Sequence, residues 1–168
     1  HKVVTVVGFP NGYSPLEAKL VEIDYAASAG AREVDVVANT VLAKSGRWDD
    51  LSKEIRAIVA RAREYGMGVK IIIETSVLKA DEIGRAAKIV EDLGADYVKT
   101  NTGFGSRGVL PSDVVIIRYS ITGRCGIKAS GGIRTALDAA LLLSLGASVI
   151  GTSHGIEIVE QARRLLSP

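Results

Sequence analysis

Short apolar runs, rich in β-branched residues, recur along the chain and alternate with longer amphipathic segments. Between residues 80 and 93, apolar residues return every three or four positions, which is the spacing of an α-helix with one buried face. Strands that alternate with helices of this length predict a parallel sheet covered by helices. The six predicted strands are Val3–Val7, Val34–Val37, Val69–Ile73, Tyr97–Asn101, Gly126–Ala129 and Val149–Gly151.

Local signals predict where several helices begin and end. Ser14, followed by Pro15 and by Glu17 three residues later, predicts an N-cap and a helix with proline at its first position. Thr135 and Asp138 form a looser version of the same arrangement. Glycines predict helix ends that lead into the next strand, at Gly30, Gly66, Gly94 and Gly146.

Charged residues interrupt strands that a parallel sheet should bury on both faces. Asp35, Lys70, Lys99 and Lys128 each lie inside an apolar run, and the lysines are spaced 29 and 29 residues apart. The equal spacing predicts that the lysines occupy equivalent positions on neighbouring strands. Because side chains alternate along a strand, the same face also collects Glu74, Asn101 and Ser130. The opposite face, predicted to meet the helices, carries Val34, Val36, Ile71, Ile73, Val98 and Ile127.

This cluster of charges distinguishes between two architectures. A (β/α) TIM-type barrel places active sites at the carboxyl ends of its strands, where buried charges are accepted. An open, doubly wound sheet would have to spread the same charges beneath a layer of helices. We therefore predict an α/β fold of the (β/α) TIM-type barrel kind, with six βα units visible of the usual eight.

The lysine cluster has a chemical interpretation and a structural one. Neighbouring positive charges lower the pKa of a lysine, and a neutral amine is a nucleophile at physiological pH. The structural interpretation is a set of internal salt bridges between the lysines and Asp35 and Glu74. Three lysines facing two carboxylates favour the chemical interpretation.

Glycine-containing loops follow the last two predicted strands, at 130–135 and 151–155. Barrels often bind phosphate in these two loops, with help from a helix N-terminus. Gly131 and Gly132 would let backbone N–H groups approach an anion, while Ser153 offers a hydroxyl and Arg134 a charge. Ordinary turn glycines are the alternative, and His154 fits either a ligand contact or the start of a helix.

The composition excludes several other classes of protein. The net charge of +2 gives no electrostatic reason to expect nucleic acid as a partner. The longest apolar run, Ala139–Leu143, is far shorter than a membrane span. A single cysteine, Cys125, excludes an internal disulfide and is expected to serve packing. We therefore expect a soluble, cytoplasmic protein that binds neither nucleic acid nor membrane.

The glycines of 103–108 match a dinucleotide-binding pattern, but the surroundings do not fit it. The next helix is expected to begin only near Pro111, and no acidic residue ends the following strand at Ala129 and Ser130. We interpret these glycines as a flexible loop and expect no nicotinamide cofactor.

Several longer segments together resemble the deoxyribose-phosphate aldolase family of class I aldolases. The resemblance extends from end to end of the chain. It is carried by Glu33–Val37, Val98–Phe104, Ile127–Thr135 and Ile150–Ser153, with further matches at Val7–Pro10 and Ile72–Thr75.

The resemblance implies a (β/α) barrel enzyme without metal or other cofactor. Such an enzyme reversibly cleaves 2-deoxyribose 5-phosphate to acetaldehyde and glyceraldehyde 3-phosphate. The resemblance also implies that Lys99 is the Schiff-base lysine and that Lys128 is the neighbour that lowers the pKa of Lys99. Asp35 would act with Lys128 and water in proton transfer. Thr102 would hold that water or a substrate hydroxyl. The remaining predicted substrate-binding residues are Lys70, Gly103, Gly131, Gly132, Arg134, Gly151 and Ser153.

The chain also departs from the family pattern. Asn101 stands where the family usually has serine, and His154 stands where a second serine is common. The family barrel has two more units at its beginning, so we expect residues 1–168 to form one domain that is incomplete on the N-terminal side. Either residues are missing or the enzyme is naturally short. A homo-oligomer, dimer or tetramer, would then cover the sheet edges at Val3–Val7 and Val149–Gly151.

Two other functions stay open on the sequence. One is another Schiff-base aldolase for phosphosugars, or a transaldolase-like barrel. The other is a phosphosugar-binding subunit with weak or no turnover. Both share the expectation of a small phosphorylated sugar as the ligand.

Overall fold

The computed structural model describes residues 2–166 as six strands and seven α-helices. The strands are β1 (Val4–Val7), β2 (Glu33–Val37), β3 (Gly68–Ile72), β4 (Tyr97–Lys99), β5 (Gly126–Ser130) and β6 (Val149–Gly151). The helices are α1 (Leu16–Ser28), α2 (Thr40–Lys44), α3 (Trp48–Glu64), α4 (Ala80–Asp92), α5 (Pro111–Ser120), α6 (Ala136–Ser144) and α7 (Gly155–Leu166). All six predicted strands are present. The short helix α2 is an element that the sequence pattern did not predict.

The helix ends confirm most of the boundary signals. The hydroxyl of Thr135 accepts a hydrogen bond of 3.1 Å from the Asp138 N–H at the start of α6, as predicted. The predicted N-cap at Ser14 is wrong. Helix α1 begins one residue late, at Leu16, so that Pro15 takes the N-cap position without a side-chain bond. The predicted glycines follow α1, α3, α4 and α6 with positive φ angles, which glycine adopts without strain, at Gly30, Gly66, Gly94 and Gly146.

The strands follow their chain order in one parallel sheet, β1-β2-β3-β4-β5-β6. This order excludes a doubly wound sheet, in which the order reverses. The sheet is also strongly curved. The Lys128 Nζ on β5 lies 2.6 Å from the Asp35 Oδ2 on β2, although three strand spacings would separate these strands by roughly 14 Å in a flat sheet. The strands therefore form the arc of a (β/α) barrel, and the predicted fold class is confirmed.

The outer face of the arc packs against the helices. The residues predicted on this face, Val34, Val36, Ile71, Ile73, Val98 and Ile127, all belong to the hydrophobic core. The inner face carries the polar residues and is open at the edge strand β1, where Val4 and Val6 are 41% and 43% exposed. No helix within residues 2–166 has the combined length and apolar character that crossing a lipid bilayer requires.

The strand register corrects one prediction about the lysines. Lys99 pairs directly with Lys128, but Lys70 pairs with Tyr97, two residues before Lys99. Lys70 therefore lies one inward-facing layer nearer the amino ends of the strands. Strands of a barrel are staggered along its axis, so equal spacing along the chain does not give equal height in the barrel. In this lower layer, Lys70 pairs with Asp35 on β2.

Candidate active site

One buried carboxylate organises the inner face. Asp35 is 2% exposed, and its Oδ2 accepts hydrogen bonds from the Lys99 Nζ at 2.8 Å and the Lys128 Nζ at 2.6 Å. The Lys70 Nζ lies 3.4 Å from the other oxygen, Oδ1, which accepts no hydrogen bond from the described residues. The structure thus brings together Asp35, Lys99 and Lys128, the three residues predicted to be catalytic.

Burial and neighbouring charge shift the pKa values of Lys99 and Asp35. Burial, aided by the charges of Lys128 and Lys70, lowers the pKa of the Lys99 ammonium group despite the opposing pull of Asp35. Burial tends to raise the pKa of the Asp35 carboxyl, but Lys99 and Lys128 outweigh it and hold that pKa below its ordinary value. The neutral form of the Lys99 amine is therefore favoured, and it lies beside a carboxylate whose ionised form is favoured.

A second carboxylate lies beneath Asp35 on the same strand. Glu33 accepts a hydrogen bond from Lys70 and forms an ion pair of 3.0 Å with the exposed Lys2. The bond from Lys70 lowers the pKa of Glu33. Glu33 belongs to the motif Glu33–Val37 but was not among the predicted site residues. Its position two residues before Asp35 already indicates the same face of the strand.

A cleft of about 740 Å³ opens above the two upper lysines, at the carboxyl ends of the strands. Lys99 and Lys128 lie at its floor, and Thr102 lies on its wall. Six residues predicted to bind substrate line it as well: Gly103, Gly131, Gly132, Arg134, Gly151 and Ser153. Lys70 does not line the cleft, because it lies in the lower layer between Glu33 and Asp35.

The glycines of the cleft have a steric reason to be glycine. A Cβ on Gly151 would lie 2.9 Å from the Ser130 Cβ and 3.1 Å from the Lys128 Cε, so a side chain there would displace the lysine. Gly131 and Gly132 have φ angles of +98° and +76°, which other residues rarely adopt. The backbone of these loops therefore approaches the cleft closely and leaves space for a ligand.

The loops on this side lead into the N-termini of α6 and α7, which favour negative charge. His154 both lines the cleft and starts a helix. Its Nδ1 lies 3.2 Å from the Ser153 Oγ, while its carbonyl oxygen accepts the Ile158 N–H at 3.0 Å. Its backbone N–H donates to the Thr152 hydroxyl, which in turn donates to the Ile133 carbonyl. The two interpretations of His154 are thus compatible with each other.

Glu74 does not lie among the lysines, where the alternation of side chains along the strand predicted it. Its φ of +52° turns the chain out of the strand, and its carboxylate accepts bonds from the Ser76 hydroxyl, the Asn101 amide and both the N–H and hydroxyl of Thr102. The salt bridges between Glu74 and the lysines that the structural interpretation supposed are therefore absent from the described residues. Burial tends to raise the pKa of Glu74, but the bonds from Ser76 and Thr102 outweigh it and lower that pKa.

This arrangement restricts the role of Thr102. Its hydroxyl donates to Glu74 at 2.6 Å and accepts from the Phe104 N–H at 3.1 Å. With its proton committed to Glu74, the Thr102 oxygen meets a substrate hydroxyl or water as an acceptor. The bond between Thr102 and Glu74 depends on the positive φ of Glu74, which nothing in the sequence pattern predicts.

The side chain of Arg107 anchors the loop 103–108 to the residues around it. Arg107 forms two bonds with Asp113, at 2.6 and 3.0 Å, and a third with the Thr75 carbonyl at 2.9 Å. Helix α5 begins only at Pro111, as predicted, so the glycines do not open a helix as a dinucleotide site requires.

Cys125 lies just before β5 and is not among the residues that line the cleft. Cys125 is buried, and burial raises the pKa of its thiol to about 11, in keeping with the packing role predicted for it. Among residues 2–166, no group of three or more His, Cys, Asp or Glu side chains is arranged to hold a metal ion.

The fold and the site define a class of protein: a βα-barrel enzyme whose inner face presents a buried lysine with a lowered pKa to a cleft suited to an anion. Comparison with known families agrees with this class. The model described as "DeoC/LacD family aldolase" matches residues 2–161, and the chain belongs to this aldolase family.

Individual relatives show the same similarity. The chain is 44% identical to a deoxyribose-phosphate aldolase of Thermoanaerobacter sp. (strain X514) over 165 residues, which is 98% of this chain and 74% of the relative. A deoxyribose-phosphate aldolase of Thermococcus gammatolerans is 43% identical over 96% of this chain and 72% of its own length.

Solved structures agree. The structure titled "QR15, an Aldolase" superposes with a TM-score of 0.92 at 38% identity, covering 99% of this chain and 76% of the other. The structure titled "Unique tetrameric structure of deoxyribose phosphate aldolase from Aeropyrum pernix" superposes with a TM-score of 0.89 at 37% identity. The match covers 98% of this chain and 69% of the other.

Proposed function

We propose that this lyase reversibly cleaves 2-deoxy-D-ribose 5-phosphate to acetaldehyde and D-glyceraldehyde 3-phosphate through a Schiff base on Lys99. The observation that carries the proposal is the buried Lys99, with its lowered pKa, at the floor of a cleft whose far wall suits a phosphate. The relatives named as deoxyribose-phosphate aldolases supply the choice of substrate.

The proposed reaction begins at the Lys99 amine. The neutral amine attacks the aldehyde carbon of the open-chain sugar, and loss of water gives an iminium ion. The iminium accepts the electron pair of the bond between C2 and C3 when that bond breaks. The proton of the C3 hydroxyl leaves to a base, and glyceraldehyde 3-phosphate departs. The remaining enamine takes a proton at C2, and water releases acetaldehyde and the free amine.

Asp35 and Lys128 supply the proton transfers in this proposal. Both groups lie within hydrogen-bond distance of each other, and Lys99 donates to the same carboxylate oxygen. A water at the mouth of this cluster would carry protons between them and the substrate. Thr102, as an acceptor, would orient that water or a substrate hydroxyl.

We assign the phosphate to the loops after β5 and β6. The backbone of Gly131, Gly132 and Gly151, the hydroxyl of Ser153 and the charge of Arg134 line that part of the cleft. The N-termini of α6 and α7 add their positive ends. Gly103, in the loop after β4, lines the same cleft.

The substitution Arg134→Gln tests the phosphate assignment. A charge-assisted bond to phosphate contributes about 1.5–3 kcal/mol, so we expect KM for 2-deoxyribose 5-phosphate to rise about tenfold or more. The KM for unphosphorylated 2-deoxyribose should not change. The measurement is a coupled assay of aldehyde release with both sugars, and Arg56→Gln on the outer helix α3 is the matched control. An equal rise for both sugars would refute the assignment.

The same assay separates the other candidate functions. An enzyme for larger phosphosugars, or a transaldolase-like one, would accept dihydroxyacetone-type ketones as donors in place of acetaldehyde. A binding subunit would hold 2-deoxyribose 5-phosphate without releasing an aldehyde. Release of acetaldehyde at a rate that saturates with 2-deoxyribose 5-phosphate supports the proposed activity against both.

We propose further that residues 1–168 form one barrel domain, incomplete on the N-terminal side, that works as a homo-oligomer in the cytoplasm. The inward-facing Val4 and Val6 are exposed at the edge of the sheet. The match covers 74% of the relative from Thermoanaerobacter, and the relative from Aeropyrum pernix is described as tetrameric. We expect light scattering to give the mass of a dimer or tetramer. The mass of a single folded chain would contradict the homo-oligomer, and cell fractionation tests the location.

A further inference from the structure

The layer beneath the candidate nucleophile contains a second set of charges. Lys70 is 4% exposed and lies between two carboxylates of β2, donating to Glu33 and standing 3.4 Å from the Asp35 Oδ1. Its ammonium group also lies 5.7 Å from the centre of the Tyr97 ring. Neither Lys70 nor Glu33 lines the cleft.

The two oxygens of Asp35 are used differently. The oxygen Oδ2 accepts both upper lysines, Lys99 and Lys128, at hydrogen-bond distance. The oxygen Oδ1 accepts no hydrogen bond from the described residues, although Lys70 stands beside it. Lys70 gives its hydrogen bond to Glu33 instead.

The charge balance of the inner face depends on that bond. Lys70, Lys99 and Lys128 carry three positive charges, and Asp35 alone would oppose them with one. Glu33 adds a second negative charge beside Lys70, the one lysine of the three that does not line the cleft. Buried charges are tolerated when each is paired, so Glu33 satisfies Lys70 and leaves Asp35 to the upper pair.

We propose that Glu33 is a positioning residue for the aldolase reaction: by holding Lys70 it reserves the Asp35 carboxylate for Lys99 and Lys128. This inference deepens the proposed function, since it concerns the reactivity of the lysine to which that function assigns the Schiff base.

The proposal predicts shifts of opposite sign from two substitutions. In Glu33→Gln, Lys70 keeps its charge, loses its partner and turns to Asp35, so the positive charge that Lys99 meets is less compensated. The pKa of Lys99 should fall, and the pH at which half of Lys99 is reactive should fall with it. In Lys70→Met one positive charge disappears, and the pKa of Lys99 should rise by a similar amount. In the double variant the two changes should largely cancel.

Other charged groups face this layer and stay in place in all variants. Lys2 pairs with Glu33 from the surface, with its side chain 73% exposed. Asp96 is held by Arg63 at 2.9 Å and by the Val69 N–H. Tyr97 and Asp35 complete the surroundings of Lys70. Because these groups do not change, a difference between the variants reports on Glu33 and Lys70.

The experiment measures Lys99 directly and without substrate. Trace labelling with acetic anhydride from pH 6 to 11, followed by peptide mass analysis, gives the pH at which half of Lys99 is reactive. The purified full chain is compared with Glu33→Gln, Lys70→Met and the double variant. Glu17→Gln and Lys88→Met, both on outer helices, are the matched controls and should leave the midpoint unchanged.

A lower midpoint in Glu33→Gln, a higher one in Lys70→Met and a near wild-type value in the double variant are the expected results. Shifts of the same sign in both single variants, or none, would overturn the proposal. If Glu33→Gln fails to fold, as judged by circular dichroism, the absence of an upward shift in Lys70→Met still overturns it. Failure of the proposed function is a separate result, since Lys99 would then be labelled as expected but would form no adduct with aldehyde.

Discussion

Lys99→Met is expected to abolish aldehyde release from 2-deoxyribose 5-phosphate, with a loss in kcat/KM on the order of 10⁴-fold or more. Methionine matches the lysine stem in length but has no amine to attack the carbonyl. Lys99 is 8% exposed and bonds to Asp35, and Lys128 still donates to that carboxylate when Lys99 is replaced. The measurement is the coupled assay of aldehyde release at saturating and limiting substrate.

Two comparison variants make this result specific. Lys88→Met removes an exposed lysine of α4 that pairs only with Asp92 among the described residues, and should retain full activity. Lys128→Met keeps the nucleophile but removes a neighbouring charge that lowers its pKa, so its loss should be smaller than that of Lys99→Met. Lys99→Met with activity within tenfold of wild type would show that another group forms the covalent bond.

Asp35→Asn is expected to cause the largest loss of stability of any single substitution on the inner face. The change leaves three lysines around a neutral side chain that is 2% exposed in the parent. Removing one member of a buried ionic cluster lowers the free energy of unfolding by about 3–5 kcal/mol. Denaturant titration at pH 7 measures the free energy of unfolding. The control is Asp50→Asn at an exposed carboxylate, which should change that free energy by less than about 1 kcal/mol.

The pH dependence of this difference follows from the lowered pKa of Asp35. Lys99 and Lys128 hold that pKa below its ordinary value against the effect of burial, so the ionised carboxylate stabilises the folded state above the unfolded pKa. That contribution is lost as the pH falls through the folded pKa, because a protonated Asp35 resembles asparagine. The gap between parent and variant should therefore be widest near neutral pH and narrow in acid. A gap that widens in acid would contradict this electrostatic origin.

The fold could be predicted from the sequence because its determinants are local and periodic. Alternating apolar runs identify the strands, and glycines such as Gly30 and Gly94 mark where helices end. The charges inside the strands favoured a barrel over an open sheet, because a barrel lets such charges meet on its inner face. The ion pair between Lys128 and Asp35 across the arc is a contact of this kind. The parity of side chains along a strand placed Lys70, Lys99 and Lys128 on one face correctly.

The height of each residue in the barrel could not be predicted, because register depends on how neighbouring strands are staggered. Lys70 lies two residues below its expected level for this reason. Glu74 turned away from the lysines because its backbone leaves the strand with a positive φ, which glutamate rarely adopts. Glu33 was overlooked although parity alone places it beneath Asp35, on the same face of β2. Backbone geometry and register, rather than residue type, account for these differences.

Reductive trapping shows whether a Schiff base forms on Lys99. The purified chain is incubated with acetaldehyde and borohydride, and its intact mass and peptide map are determined alongside those of Lys99→Met. We expect one reduced ethyl adduct on the peptide that contains Lys99 and no such adduct in the variant. An adduct confined to another lysine, or none on the folded wild-type chain, would contradict it.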